Sequence, residues 1–570
     1  MKHLKIKINK YEVDSEIILK DIEFTLNKND RIAIVGGNGV GKTTLLKIIT
    51  GEIKDFDGII ENIGGMSLGY LAQIYNDDKN KTVYEELKDA FIDINRLEKE
   101  LSIIEEKMKV CNSDEVLNTY TNTLEEFNNF GGYNYNGIIN LVASGLGIIH
   151  LLKSKLCEIS GGQRTKVALA KVLMLSPDIL FLDEPTNFID MASLEWLENY
   201  LQNKWKGGYL IVSHDREFLD KTCDKTFEIQ GPRPINFYHC KYSDYVIERE
   251  KREAKLQEEF ERQELWIKEQ VGLVNRFRAG SRAGWAKSRE KMIEKVEKIE
   301  PPFIPQKAKF IFDKAIESSN KILTFKQIFI GRKEPLFFIN DLVLYEGQKI
   351  GIVGENGVGK STFIKSILGE IDFLDGYFSK AKGLKIGYYS QMHEEIDKQK
   401  TIRENFIANG LTYSDQELIG ILRHYLFDYN DIDKKAGNLS GGQLSKLNFA
   451  ILGQKQFDLL ILDEPTNHLD YDTREALESA LQKYNGTILF ISHDRYFVNK
   501  LATNIWIIKN SELIVSYGNY EDYKYKEEHG IDMDMSLFDE EGQLNLVLEE
   551  KLGEKEVKRL KNKFKKFGRK

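Results

Sequence analysis

Two short segments have the residue types and spacing for phosphate chemistry. Gly36-Gly37-Asn38-Gly39-Val40-Gly41-Lys42-Thr43-Thr44 and Gly354-Glu355-Asn356-Gly357-Val358-Gly359-Lys360-Ser361-Thr362 both read G-x4-G-K-Ser/Thr. The first follows the apolar run Ile32-Ala33-Ile34-Val35 and precedes an amphipathic run from Leu45. That is strand, glycine loop, helix. Backbone N–H groups of such a loop wrap phosphate oxygens at a helix N-terminus. Glycines permit the close approach and the positive φ values. The lysine reaches the terminal phosphates, and the Thr43 or Ser361 hydroxyl ligates Mg²⁺.

A second pair of segments supplies carboxylates. Asp183-Glu184 and Asp463-Glu464 each close an apolar run and are followed by Pro-Thr-Asn. A carboxylate at the C-terminal end of a buried strand stands where α/β sheets hold ligands. Asp183 and Asp463 are read as holding Mg²⁺. Glu184 and Glu464 are read as orienting and deprotonating an attacking water. The loops and carboxylates belong to an ordered repeat. Leu68-Gly69-Tyr70-Leu71-Ala72-Gln73 matches Ile386-Gly387-Tyr388-Tyr389-Ser390-Gln391. Ser160-Gly161-Gly162-Gln163 matches Ser440-Gly441-Gly442-Gln443, and Ser213-His214-Asp215-Arg216 matches Ser492-His493-Asp494-Arg495.

The chain has 570 residues, too many for one core. Its net charge of −8 means that any nucleic-acid surface must be local. Cys111, Cys157, Cys223 and Cys240 show no metal-ligand spacing and fit a reducing compartment. No signal core follows Met1, and no run of about 18 apolar residues is present, so a cytoplasmic protein is expected.

With five motifs repeated in order, each half resembles an ATP-binding cassette (ABC) nucleotide-binding domain. Two such domains without membrane spans resemble the ABC-F family of translation factors. The resemblance implies an α/β fold with two P-loop cassettes joined by an α-helical hairpin. It divides the chain into a first cassette (1–240, with a helical arm at about 80–130), a linker (306 onward being the second cassette, so 241–305), a second cassette (306–525) and a charged tail (526–570). It implies ATP and Mg²⁺ as cofactors. The nucleotide would be held by Gly36, Asn38, Gly39, Gly41, Lys42, Thr43 and Thr44 in one loop. Gly354, Asn356, Gly357, Gly359, Lys360, Ser361 and Thr362 would hold it in the other. Gln73 and Gln391 would join the Mg²⁺ ligands, and His214 and His493 would contact the γ-phosphate. The S-G-G-Q segments precede helices and form anion sites. By the resemblance, Ser160, Gly162 and Gln163 meet nucleotide bound by Lys360 and Glu464, and Ser440, Gly442 and Gln443 meet that bound by Lys42 and Glu184. Tyr11 and Phe329 precede their loops at equal distance; they stack on adenine or belong to the core.

The first half is longer between its glutamine and its signature serine (73 to 160) than the second (391 to 440). Leu87, Phe91, Ile94, Leu97, Leu101, Ile104 and Met108 recur there every three or four residues, predicting one amphipathic helix. A second is predicted around Val116, Tyr120, Leu124 and Phe127. In the ABC-F family an arm here touches the large ribosomal subunit near the exit site. Phe188-Ile189-Asp190 stands against His468-Leu469-Asp470, and Arg164 against Leu444, so the two ATP sites can differ.

Between the cassettes, Leu256, Phe260, Ile267, Val271 and Val274 predict a long helix. A turn near Ala279-Gly280-Ser281 leads to a return helix with Trp285, Met292, Val296 and Ile299, ending at Pro301-Pro302. Arg276, Arg278, Arg282, Lys287 and Arg289, with Phe277 and Trp285 interleaved, make a local polyanion footprint. It resembles the ABC-F linker, which reaches toward P-site tRNA and 23S rRNA. The tail is acidic over Ile531–Glu550 and basic over Lys551–Lys570. The leading reading is a monomeric ribosome-binding ATPase whose ATP-closed form inserts the linker and whose hydrolysis drives release. It would act as a general translation factor or in antibiotic-resistance ribosome protection; the short turn favours the former. The alternative is a cytoplasmic ATPase subunit of an ABC transporter, which would need no tRNA-reaching hairpin.

Overall fold

The computed structural model describes residues 2–14, 16–71, 80–110, 113–187, 189–277, 283–296, 308–315, 320–467 and 469–533. In each half an antiparallel group of strands adjoins a parallel one. In the first half His3–Val13 pairs with Glu16–Asn27 and Asp57–Ile63. The parallel strands lie in the order Leu68–Leu71, Ile179–Asp183, Gly208–Val212, Arg31–Val35, Lys225–Glu228. In the second half the matching strands run Ile386–Tyr389, Leu459–Asp463, Thr487–Ile491, Lys349–Gly354, Asn504–Lys509.

The burial patterns follow from this topology. The strands that end in Asp183 and Asp463 are buried at every position. Parallel strands covered on both faces read as unbroken apolar runs. His3–Val13 instead alternates buried and exposed residues over most of its length, because one face meets water. Both loops therefore leave the parallel sheet at a fixed edge, where the phosphate-binding helices Lys42–Ile49 and Lys360–Leu368 begin.

The helical predictions need two corrections. The single amphipathic helix expected from Leu87 to Met108 is broken into Val83–Lys88 and Ile92–Val110. The Asn95 side-chain amide donates to Lys88 O (2.8 Å), and Lys88 pairs with Glu98 (2.6 Å), which ties the two pieces across the break. The return helix of the linker, Ala283–Glu294, stops before Val296, whose N–H closes a turn onto Ile293 O. Ile299, Pro301, Pro302 and the turn at 279–281 lie outside the described residues. The outgoing helix, Tyr242–Phe277, has 36 residues, a length of roughly 54 Å. Arg289 donates to Gln270 across this hairpin, and Val274 is buried between its arms. Among the described residues no helix is long and apolar enough to cross a membrane.

The halves meet in a head-to-tail joint whose contacts come in mirrored pairs. Arg495 of the second half pairs with Glu198 of the first; Arg216 of the first reaches Glu478 of the second at 3.4 Å. Each arginine ends an S-H-D-R motif. Each glutamate lies on the helix capped by Asp190 or Asp470. Met191 packs into the core of the second half, and Tyr471, at the matching position, packs against that of the first. Arg495 is 2% exposed and Glu198 4%. Removing one member of such a buried pair leaves an uncompensated charge, whereas replacing both with apolar residues costs far less. Glu198→Ala is therefore expected to lower the unfolding free energy by about 3–5 kcal/mol. Glu198→Leu combined with Arg495→Met is expected to lose less than either single change. Urea titration of Glu198→Ala, the double variant and its two single changes checks the order.

Candidate functional site

Each phosphate loop is shaped by its glycines. Gly41 caps Lys42–Ile49 at φ 97°, and Gly359 caps Lys360–Leu368 at φ 109°, neither with a side-chain cap. A Cβ on Gly41 would stand 2.8 Å from the side chains of Ile18 and Leu19. The first N–H groups of both helices thus stay open to an anion. Lys42 Nζ spans its loop, donating to Gly36 O and Gly37 O at 2.8 Å each. Lys360 Nζ does the same to Gly354 O (2.6 Å) and Glu355 O (2.9 Å). Burial holds both ammonium groups below their ordinary pKa, against the pull of Glu184 and of Glu464 respectively.

The carboxylates project from the strand ends as the sequence predicts. Burial raises the Asp183 carboxyl, opposed by Thr43 and Lys42, and the Asp463 carboxyl, opposed by Ser361 and Lys360. Both Asp183 oxygens are buried beside the Thr43 hydroxyl and make no well-formed hydrogen bond. A buried carboxylate left unbonded beside a hydroxyl, in an all-oxygen donor set, fits a hard divalent cation such as Mg²⁺. Glu184 and Glu464 sit at φ 50° and 52°. Left-handed backbone at a non-glycine residue costs on the order of 1–3 kcal/mol and persists only where neighbours enforce it. Here the Glu184 N–H is held by Val212 O (2.8 Å) and that of Glu464 by Ile491 O (2.9 Å).

Each glutamate faces its histidine. His214 Nε2 lies 3.5 Å from Glu184 Oε1, and His493 Nε2 lies 3.4 Å from Glu464 Oε1. Burial, reinforced by nearby lysine, depresses the His214 pKa well below its usual value and that of His493 to about 3. Both imidazoles are neutral, so each pair is not an ion pair. Burial also pushes the Glu184 carboxyl up to about 7 and raises Glu464. A carboxyl with this pKa is poised to take a proton near neutrality.

The second-half site is a cavity of about 1200 Å³ that straddles the joint. Lys360, Ser361, Thr362, Gln391, Asp463, Glu464 and His493 line one wall, with Asn356, Gly357 and Gly359. Ser160, Gly162 and Gln163 of the first half line the other. Ser160 caps Gly161–Met174 in a capping box: its Oγ accepts from Gln163 N, and Gln163 Oε1 accepts from Ser160 N (2.9 Å). Ser440 and Gln443 repeat the box on Gly441–Leu452.

The first-half site is smaller, about 240 Å³, lined by Gly36, Asn38, Lys42 and His214. From the opposite half, Leu426, Asp470, Tyr471 and Asp472 line it; Ser440, Gly442 and Gln443 are not among its lining residues. Gly39 and Thr44 lie in the loop and the helix beside it, outside the lining. Tyr11 pairs with Leu19 across two strands and packs against the sheet core. Phe329 is 39% exposed, its ring 4.8 Å from that of Phe338. Neither lines a cavity described above. Gln73, Phe188, Arg278 and Arg282 lie outside the described residues. Of the remaining linker cations, Arg276 and Lys287 are exposed, while Arg289 stacks over Trp285 at 4.7 Å.

Several residues at the sites carried no role in the sequence. Lys166, 4% exposed, pairs with Asp190 (2.6 Å) in the wall of the larger cavity. Arg474 reaches across the joint to His214 O (3.0 Å). The S-H-D-R arginines were visible as a repeat, and Glu198 and Glu478 each stand eight residues after the helix cap Asp190 or Asp470, but neither fact says which charges meet.

The ABC transporter family model matches residues 19–187 and 340–467, and an extension model of the same description matches 232–312. The ATP-binding protein YdiF of Bacillus subtilis (strain 168) is 36% identical over 528 residues, 91% of this chain and 82% of that protein. ABC transporter F family member 5 of Arabidopsis thaliana is 32% identical over 524 residues, 89% of this chain and 75% of that protein. In fold the chain is similar to archaeal ribosome recycling factor aABCE1, solved with ribosomal stalk protein aP1. The TM-score is 0.59 at 18% identity, covering 92% of each chain. The cassettes bind ATP, and the chain is an ATP hydrolase. With tandem cassettes facing each other across one joint, it belongs to the ABC-F family of ATP-binding cassette proteins.

Proposed function

We propose that this chain is a cytoplasmic, monomeric translation ATPase that binds the ribosome when its cassettes close on ATP and leaves when ATP is hydrolysed. The observation that carries the reading is the large cavity walled by Lys360, Asp463, Glu464 and His493 on one side and by Ser160 and Gly162 on the other. A nucleotide there touches both halves, so binding favours the joined state by its differential affinity. Between the cassettes stands a helical hairpin with Arg276 and Lys287 exposed toward its tip. In an acidic protein that local cationic surface suits RNA, and the reading takes P-site tRNA and 23S rRNA as its partners.

The chemistry follows from the side chains. The loop amides, Lys42 and Lys360 bind and orient the β- and γ-phosphates. Thr43, Asp183 and Gln73 would hold Mg²⁺ in one site and Ser361, Asp463 and Gln391 in the other. Bound there, the ion would offset charge on the phosphate oxygens. Glu184 or Glu464 accepts a proton from water as it attacks the γ-phosphorus, and the bond to the ADP oxygen breaks. The neutral histidine beside each glutamate can donate its Nε2–H to the carboxylate without adding charge, holding it in place. The first cassette (1–240), linker (241–305), second cassette (306–525) and tail (526–570) are the working parts.

Two expected outcomes test this. Glu184→Gln with Glu464→Gln should bind ATP without hydrolysing it, so the variant should co-pellet with ribosomes in ATP and not without nucleotide. A variant that stays in the supernatant under both conditions sinks the proposal. Arg276→Glu with Lys287→Glu should weaken ribosome binding and reduce the slope of log affinity against log salt by about 1 per lost phosphate contact. An unchanged slope would remove the hairpin from the RNA interface.

A further inference from the structure

The joint is mirrored in its main contacts but not at one buried position. Arg474 is the fourth residue after the cap Asp470. The matching position after Asp190 is Leu194, which is 1% exposed and apolar. Arg474 is itself 7% exposed, and its guanidinium is used in three directions. Nε donates to Leu469 O (3.0 Å), in the turn that leads into its own helix. Nη1 lies 3.3 Å from Asp494 Oδ2, beside His493 of its own half. The same Nη1 donates to the carbonyl of His214 in the opposite half, at 3.0 Å.

That last bond has a specific consequence. The His214 carbonyl fixes the backbone from which the imidazole approaches Glu184, 3.5 Å away. It can be held by Arg474 only while the halves are joined. At the other site a mirrored bond would need a donor at position 194, and leucine has none. We propose that Arg474 is a positioning residue that makes hydrolysis at the Lys42 site conditional on closure, so that the two sites are unequal. This rests on the assignment of Glu184 and His214 to hydrolysis made above. A guanidinium suits the task because its planar fork reaches two carbonyls and a carboxylate at once. A hydrogen bond from a charged donor to a buried carbonyl is also among the stronger ones.

The experiment measures steady-state ATP hydrolysis by full-length chains. The backgrounds are the natural chain, Glu464→Gln and Glu184→Gln, each with and without Arg474→Leu, the residue its mirror position already tolerates. In the Glu464→Gln background, Arg474→Leu should lower kcat about tenfold and leave KM within twofold. Whatever hydrolysis Glu184→Gln retains should change by less than twofold. Arg474→Lys, which keeps the charge and can reach one acceptor, should recover part of the lost kcat while its thermal midpoint matches that of Arg474→Leu. A raised KM at constant kcat, or equal losses in both backgrounds, would make Arg474 a plain structural contact and overturn the proposal. A Glu464→Gln chain with no turnover would overturn it too, since the Lys42 site would then have no hydrolysis to position. Hydrolysis unaffected by Glu184→Gln in the natural chain would instead refute the underlying assignment of Glu184.

Discussion

The structure depends on two arginines crossing one joint. Arg495 to Glu198 and Arg216 to Glu478 are related by the internal symmetry of the chain; the first pair is fully buried and the second has only its arginine partly exposed. Burying an ion pair gains little on balance, because desolvation offsets most of the attraction. What it does supply is selectivity among arrangements. Slide one half along the other and the two arginines lose these carboxylates, while Glu198 and Glu478 keep only the lysines of their own halves, Lys221 (3.2 Å) and Lys500 (2.9 Å). The mirrored apolar contacts at Met191 and Tyr471 tolerate displacement far better. Arg216 adds directionality by stacking on Tyr471 (4.3 Å) and Tyr496 (4.6 Å) of the opposite half. Both arginines follow a site histidine by two residues, so whatever sets the joint also sets the sites.

Within that symmetric frame the two sites are chemically distinct. The larger cavity contains the buried Lys166–Asp190 pair, and Lys360 feels both groups, one opposing the other. The smaller one has Arg474 bonded to the His214 carbonyl, which also draws the Glu184 carboxyl down against its burial. Arg164 turns its guanidinium to Leu156 O (2.9 Å) in one half, whereas Leu444 is buried in the other. None of these differences replaces a residue of the phosphate loops, the Asp-Glu pairs or the S-G-G-Q caps. They sit one layer behind, where a substitution alters the set of a catalytic group without removing it.

What was legible in the sequence is what acts locally. The glycine loops, the strand-end carboxylates and the S-G-G-Q helix caps are each written in a few adjacent residues, and each takes the expected form. The break at Asp89–Phe91 was not legible, because the apolar spacing continues through it unbroken. The backbone turn that carries Phe91 N–H to Lys88 O, the bond from Asn95 to the same carbonyl and the pairing of Lys88 with Glu98 show that two helices replace one. Arg474, Glu198 and Glu478 were silent for a different reason. Their partners lie hundreds of residues away, and an arginine on a charged helix reads as a solvated face until the second half is placed against it.

The linker helix adds a mechanical constraint to this arrangement. Its first turns carry Tyr242, Tyr245 and Arg249, all of which line the same cavity as Gly36, Lys42 and His214. Tyr245 OH donates to Glu228 (3.0 Å), and Arg249 pairs with the same carboxylate (3.1 Å). Glu228 precedes Ile229, whose carbonyl lies where a Cβ on Gly36 would come within 2.4 Å. Tyr242 in turn meets Tyr471 of the opposite half, ring centroids 6.2 Å apart. The root of the helix is thus wedged between a phosphate loop and the far cassette. A rigid helix of roughly 54 Å multiplies any rotation at such a root: a turn of about 6° carries its far end by roughly 5 Å. Sub-ångström adjustments around the loop are therefore enough to move the hairpin tip by the width of a side chain.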